Sequence, residues 1–173
     1  IISGDADSND GDVTGHHGIE IPETPTNDYW VIKLNSTGTI QWQKSLGGTD
    51  DEEATCIQQT SDGGYIIAGY SASNNGDVTL NHNFSDDFWI VKLSSIGVIE
   101  RQKSLGGSNP EFATSIEQTT DGGYIVAGYS YSNDGDVTIQ NYGSADFWVL
   151  KLSSEQLSSK TFENETFLIY PNP

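Results

Sequence analysis

Residues 88–93 read Phe-Trp-Ile-Val-Lys-Leu, and the chain contains two further versions of this run. Residues 29–34 read Tyr-Trp-Val-Ile-Lys-Leu, and residues 147–152 read Phe-Trp-Val-Leu-Lys-Leu. The three tryptophans are therefore 59 residues apart, and so are the three lysines. A fixed period of this length is the sequence signature of a tandem-repeat protein.

Two further motifs recur at the same spacing and complete the repeat. Ser-Leu-Gly-Gly occupies residues 45–48 and 104–107, and Asp-Gly-Gly-Tyr occupies residues 62–65 and 121–124. Asp and Gly accept the positive φ angles of tight hairpin turns. Between such turns, short segments alternate polar and apolar residues, which indicates strands. Four short antiparallel strands in about 59 residues are typical of one β-propeller blade.

The period predicts an all-β chain of propeller-type repeats with four antiparallel strands each. Two complete blades do not close a ring, which needs about four to eight, so we expect a fragment of a larger propeller. A three-fold, trefoil-like barrel is the alternative. The predicted boundaries are a partial blade (1–15), two blades (28–75 and 87–134), the first strand of a further blade (146–152), a linker (153–166) and a terminal segment (167–173).

The charge excludes several classes of partner. Seven Lys and Arg face 25 Asp and Glu, which gives a formal net charge of −18. Nucleic acids and anionic membranes both require a positive surface, so we predict no nucleic-acid partner. No apolar run is long enough for a membrane helix, so we predict no membrane insertion. The single cysteine, Cys56, rules out a disulfide framework within the chain.

Acidic loops between the predicted blades make calcium the one candidate cofactor. Asp77 and Asp136 each follow a glycine, and another aspartate comes ten residues later, at Asp87 or Asp146. Two carboxylates at the base of one loop would suit Ca²⁺ together with backbone carbonyls. The alternative is that Asp and Gly only cap turns. The candidate metal ligands, including the equivalent pair of the first loop, are Asp12, Asp28, Asp77, Asp87, Asp136 and Asp146.

Tyrosines beside the polar loops are the candidate ligand-binding residues, namely Tyr70, Tyr129 and Tyr131. Tyrosine combines a broad apolar face with a polar end and is common at contact surfaces. The repeated tryptophans have apolar neighbours and are instead predicted to pack between blades. The repeated lysines are expected to pair with a repeated aspartate such as Asp87 or to reach solvent; a channel that grips an anionic ligand is the alternative.

Catalytic patterns are missing from the sequence. It contains no nucleophile elbow, no phosphate-binding loop and no carboxylate pair distinct from the general acidity. We therefore predict that the chain is not an enzyme.

The end of the chain resembles a known sorting signal. Residues 167–173 read Phe-Leu-Ile-Tyr-Pro-Asn-Pro, which is similar to the opening of the C-terminal sorting domain on cargo of the Bacteroidetes type IX secretion system. The repeats, over residues 1–152, resemble those of large secreted proteins that carry this domain. The hairpin at residues 33–42 is also similar to blades of quinone-dehydrogenase-type propellers. The resemblance implies a secreted or cell-surface protein and a contact with the type IX secretion machinery.

Taken together, these features predict a non-catalytic binding or adhesion module at the cell surface or outside the cell. Its partner would be a glycan or a surface protein. One alternative is a structural spacer, or a protein that self-associates into a surface layer or filament. A second alternative is the non-catalytic part of a larger secreted enzyme.

Overall fold

The computed structural model describes residues 1–18, 25–82, 85–138 and 140–153. These residues form ten strands and no helix, which confirms the all-β prediction. The described part of the chain has no helix that could cross a membrane. The strands are β1 (Ile2–Ala6), β2 (Asp28–Leu34), β3 (Ile40–Leu46), β4 (Glu52–Gln59), β5 (Tyr65–Ser71), β6 (Asp87–Leu93), β7 (Ile99–Leu105), β8 (Glu111–Gln118), β9 (Tyr124–Ser130) and β10 (Asp146–Leu152).

The strands form three small antiparallel sheets. The first has the order β1-β2-β3, the second β4-β5-β6-β7 and the third β8-β9-β10. None of these sheets closes on itself within the described residues, so the trefoil-like alternative is not the arrangement seen there.

The hydrogen bonding does not follow the predicted blade limits. The predicted blades 28–75 and 87–134 coincide with the sequence copies, whereas the four-stranded sheet combines the last two strands of one copy with the first two strands of the next. β5 pairs with β6 across the long loop between them, with Ile67 opposite Val91. The predicted linker 153–166, apart from Ser153, and the terminal segment 167–173 lie outside the described residues.

The Asp-Gly-Gly turns form as predicted. Gly63 and Gly122 both have φ near +82°, a conformation that costs glycine little and other residues more. In the first turn, the backbone N–H of Thr60 donates to the carbonyl of Gly64 at 3.0 Å. The Asp62 carboxylate accepts the N–H of Gly64 at 2.9 Å, which fixes the turn from its side chain.

Each sheet has two faces, and the repeated aromatic residues distinguish one from the other. We call the face that carries Tyr29, Phe88 or Phe147 the front face, and the face that carries Trp30, Trp89 or Trp148 the back face. The front face of the first sheet packs on the back face of the second, where the rings of Tyr29 and Trp89 lie 4.7 Å apart. Tyr29 also donates its hydroxyl to the carbonyl of Trp89 at 3.1 Å.

The second and third sheets repeat this packing. Phe88 on the front face of the second sheet lies 4.7 Å from Trp148 on the back face of the third. Trp89 and Trp148 are consequently fully buried, whereas Trp30 is only half-buried because no sheet covers it among the described residues. The three sheets thus stack in series through two equivalent hydrophobic contacts.

The stacked sheets also meet at one edge. The hydroxyl of Thr55 in β4 donates to the carbonyl of Ala113 in β8 at 2.7 Å. Near the ends of these strands, the backbone N–H of Ser61 donates to the Gln118 side chain at 2.8 Å, and the N–H of Gln118 donates to the Gln58 side chain at 2.9 Å. β4 and β8 are therefore held side by side at equivalent positions of their sheets.

Candidate functional site

The predicted calcium residues lie mainly where two sheets meet. Asp28 and Asp87 begin β2 and β6 and are fully buried, and Asp77 and Asp136 lie in the loops that follow β5 and β9. Strand starts and loops of consecutive sheets come together at these points. We call these two places the acidic junctions.

In the first junction, His17 connects two of the predicted carboxylates. Its Nδ1 lies 2.8 Å from Asp28 Oδ2, and its Nε2 lies 3.9 Å from Asp77 Oδ2. The backbone N–H of His17 also donates to Asp28 at 2.9 Å. Gly47 donates its N–H to Asp77 at 3.4 Å.

In the second junction, His82 takes the same position. Its Nδ1 lies 2.6 Å from Asp87 Oδ2, and its Nε2 lies 3.8 Å from Asp136 Oδ2. Its backbone N–H donates to Asp87 at 2.8 Å, and Gly106 donates to Asp136 at 3.2 Å. The prediction placed partners within one loop, whereas these contacts connect carboxylates 49 residues apart, on neighbouring sheets.

Two buried glutamates complete the junctions and were not predicted as site residues. Glu52 is fully buried, and its carboxyl group accepts the N–H of Gly48 at 2.7 Å and the hydroxyl of Ser71 at 2.6 Å. Glu111 makes the equivalent contacts with Gly107 and Ser130, at the same two distances. The 59-residue spacing of the two glutamates was the available signal.

A glycine lies between the carboxyl groups of each junction. A Cβ on Gly47 would lie less than 3.0 Å from both Glu52 Oε2 and Asp28 Oδ1, and Gly106 lies in the same way between Glu111 and Asp87. Real Cβ atoms almost never come so close to another heavy atom. The Gly-Gly motif therefore makes room for two acidic side chains.

Burial favours the protonated form of four carboxyl groups at the junctions. It raises the pKa of Glu52 to about 7, against the opposing hydrogen bonds from Ser71 and Gly48. Burial also raises the pKa of Asp77 and of Asp136. The pKa of Asp87 is raised for the same reason, although hydrogen bonds from His82 act in the opposite direction.

Each junction contains one histidine, and backbone N–H groups donate to its carboxyl groups. Among the described residues, no group of three or more His, Cys, Asp or Glu side chains is arranged to hold a metal ion. Asp12 is exposed after β1, and Asp146 begins β10 and accepts the N–H of Tyr142 at 2.7 Å. Calcium at the six aspartates thus stays a prediction.

The predicted ligand-binding tyrosines belong to a continuous aromatic row. Phe112 lies between Tyr70 and Tyr129, with ring centroids 4.7 Å and 5.3 Å away, and Tyr131 lies 6.1 Å beyond Tyr129. Tyr129 and Tyr131 are 37% and 39% exposed, so solvent reaches the last two rings. Phe112 was missed because the equivalent residue of the first copy is Glu53, which hides the aromatic character of the position.

Negative charge surrounds the Tyr70 end of the row. The Tyr70 hydroxyl donates to the Glu53 carboxylate. Burial raises the pKa of Tyr70 most, and the hydrogen bond and charge of Glu53 and the charges of Asp86 and Asp51 raise it further. The row therefore offers apolar ring faces within a negative electrostatic field.

The repeated lysines have structural partners. Lys92 is 5% exposed and lies 2.9 Å from Asp62 and 3.0 Å from Glu100, and Lys151 lies 2.8 Å from Asp121. The pairing with a repeated aspartate was predicted, and these two aspartates belong to the Asp-Gly-Gly turns. Glu100 lies in β7, and Lys33 lies 5.0 Å from the centroid of the Tyr65 ring.

In comparison with known proteins, no family model matches this chain, and no curated protein matches it in sequence.

Proposed function

We propose that this chain is a non-catalytic binding module of a secreted or cell-surface protein and that the aromatic row is its contact surface. The observation that carries the proposal is the continuous contact of Tyr70, Phe112, Tyr129 and Tyr131 across two sheets. Tyr131 lies just after β9, whereas the other three rings come from strands. Rings fixed in this way lose little conformational freedom on binding.

The sheets around the row support a propeller-type scaffold. Neighbouring sheets are joined through β4 and β8 and pack front face on back face, which is how consecutive blades pack. In such a scaffold, the loops and strand ends at one side contact the ligand while the sheets stay rigid. We therefore include a propeller-type arrangement of the sheets in what we propose.

The chemistry of the row favours a neutral or cationic glycan. Exposed aromatic faces stack on the apolar faces of sugar rings and on cations. Glu53, Asp51 and Asp86 surround Tyr70 with negative charge, and the whole chain carries −18. Acidic glycans would be repelled, whereas amino sugars would be attracted.

Export by the type IX secretion system is part of the same proposal. Its support is the resemblance of residues 167–173 to the opening of the sorting domain. A glycan-binding role suits a protein that meets surface polysaccharides outside the cell.

Calorimetric titration with glycans tests the binding role. The ligands are matched oligosaccharides that are neutral, amino-substituted or acidic. We expect binding of the first two classes and at least tenfold weaker binding of the acidic class. Tyr131→Ala should weaken binding about tenfold. This corresponds to a loss of about 1.4 kcal/mol of binding free energy, as is typical when an important contact residue is truncated.

Tyr142→Ala is the matched control, because Tyr142 is 81% exposed and has no contact with the row among the ring contacts of the described residues. The control should bind like the original chain. Absence of binding to every glycan, or equal losses in both variants, would refute the proposal. Calcium binding is tested by repeating the titration, and by measuring the melting temperature, with CaCl₂ and with EDTA. Calcium should raise the melting temperature if the aspartates bind it.

A further inference from the structure

The two ends of the stack expose complementary halves of the contact that holds the sheets together. Inside the molecule, a front face packs on a back face twice, through Tyr29 on Trp89 and through Phe88 on Trp148. The third sheet has a front face and the first sheet has a back face that no described residue covers in the same way. Both free faces can be compared residue by residue with their buried counterparts.

The front face of the third sheet exposes large apolar side chains beside the polar Lys151 and Glu117. Ile125 is 43% exposed and Phe147 is 55% exposed. Their counterparts 59 residues earlier, Ile66 and Phe88, are fully buried because the third sheet packs on them. The exposed residues thus keep the side chains of a packing face.

The back face of the first sheet shows the same difference. Ile2 is 51% exposed and Trp30 is half-buried, whereas the corresponding Ile67 and Trp89 are fully buried against the first sheet. The first sheet therefore presents the indole that, at the two later positions, receives an aromatic ring from a front face.

We propose that the front face of the β8–β10 sheet binds the back face of the β1–β3 sheet of a second copy of this chain. Phe147 would then contact Trp30 of the second copy, as Phe88 contacts Trp148 within one copy. Both halves of the contact are present on one chain, so the second copy is the partner for which the structure supplies a complementary face. This association goes beyond the glycan-binding role and does not require it. The two share part of one surface, because Tyr129 lies opposite Phe147 on the same face of the sheet.

The acidic junctions follow the same order. Tyr142 donates its backbone N–H to Asp146 as His82 does to Asp87. The loop aspartate that completes each internal junction comes from the next sheet along the stack. In the proposed contact, this position falls to Asp12 of the second copy, which is exposed in the single chain.

The contact joins two different surfaces, so it is heterologous and produces closed rings or open filaments. Charge opposes it, because each copy carries −18. Salt screens repulsion between exposed charges, with a Debye length of about 10 Å at 0.1 M and about 3 Å at 1 M. Association should therefore strengthen as the salt concentration rises, as expected for apolar faces on a highly charged protein.

Sedimentation velocity of the full 173-residue chain, across a concentration series in low and high salt, tests the proposal. We expect species at multiples of the 18.7 kDa chain mass, with a larger share at high salt. Phe147→Asp blocks the front face, and Ile2→Asp blocks the back face. Each variant alone should be monomeric, whereas an equimolar mixture should form a 1:1 dimer through the two intact faces.

Two variants serve as controls. Ile96→Asp places the same charge at a 68% exposed residue of the turn between β6 and β7, and it should associate like the original chain. Tyr131→Ala should also leave the mass unchanged, because Tyr131 follows the end of β9 and its ring contact is with Tyr129, not Phe147. Circular dichroism checks the fold, and Ile125→Asp replaces Phe147→Asp if that variant unfolds.

A monomer at every concentration and salt would overturn the proposal. Oligomers that persist in both single variants, or folded variants that do not combine when mixed, would overturn it as well. A dimer that either variant forms alone would indicate a symmetric contact between like faces and would also contradict the head-to-tail arrangement.

Discussion

Gly47 and Gly106 show how a residue without a side chain can be required by its neighbours. Each lies between a buried aspartate and a buried glutamate, and a methyl group would collide with both carboxyl groups. The sequence showed that the Gly-Gly motif recurs, but it could not show that acidic groups from two sheets converge there. The six predicted aspartates were selected by their loops, whereas His17 and Glu52 join the junction through tertiary contacts.

Gly47→Ala should therefore destabilise the fold. Overpacking of a full site costs about 1–3 kcal/mol, and here polar oxygens must also move. Gly4→Ala is the matched control, since a Cβ at Gly4 has nothing within 4 Å. Denaturant unfolding of both variants measures the difference, and equal stability of the two would contradict the described junction.

The pKa of Glu52 predicts a falling stability as the pH rises from about 4.5 to about 7. The folded chain binds the proton more tightly than the unfolded chain, so the stabilisation is complete below the unfolded pKa of 4.5 and is lost through the folded pKa near 7. The shift corresponds to about 3 kcal/mol. Raised pKa values of Asp77 and Asp136 act in the same direction.

Urea unfolding at several pH values measures this dependence, and Glu52→Gln isolates the contribution of Glu52. The variant should show a flatter profile between pH 4.5 and 7. Parallel profiles for the two proteins would refute the assignment.

At the level of strands, the repeat predicted where strands form but not which strands share a sheet. Alternation and Asp-Gly-Gly turns predicted four short strands in each repeat, which is what the structure shows, because side-chain period and turn chemistry are local properties. The choice of neighbouring strand is not local. The short Gly47–Asp51 connection crosses to another sheet, where Asp50 donates its N–H to Ser73 at 2.9 Å, whereas the longer loop after β5 returns to the same sheet.

The lysine of each repeat should contribute more to the stability of the fold where its side chain is more deeply buried. Asp62→Asn removes one of the two carboxylates paired with the buried Lys92, whereas Asp121→Asn removes the partner of the 40% exposed Lys151 side chain. An ion pair stabilises the fold more when one partner is buried than when both partners are exposed, because water screens an exposed pair. Thermal unfolding should show the larger loss for Asp62→Asn, and the opposite order would contradict the placement of Lys92.

At the scale of the whole molecule, position in the stack makes identical repeats unequal. Trp30, Trp89 and Trp148 are equivalent in sequence, but only the last two lie between two sheets. The sequence could predict that these residues pack, because apolar neighbours surround all three. It could not predict which faces would be covered, since that depends on how the sheets follow one another.

Trp89→Ala should cost about 3–5 kcal/mol, as expected for a large aromatic residue removed from a core. Trp30→Ala should cost clearly less, because the indole is half-buried. The comparison is made by denaturant unfolding at a concentration where the chain is monomeric. Equal losses would indicate that the first sheet is covered as fully as the second.

The pairing of β5 with β6 builds the four-stranded sheet from parts of two sequence copies, as the β1–β2 and β9–β10 pairings do for the other two sheets. Nuclear Overhauser contacts between backbone protons of the labelled chain measure it directly. We expect contacts between β5 and β6, with Ile67 opposite Val91, and none between β3 and β4. Contacts between β3 and β4 in place of those between β5 and β6 would contradict it.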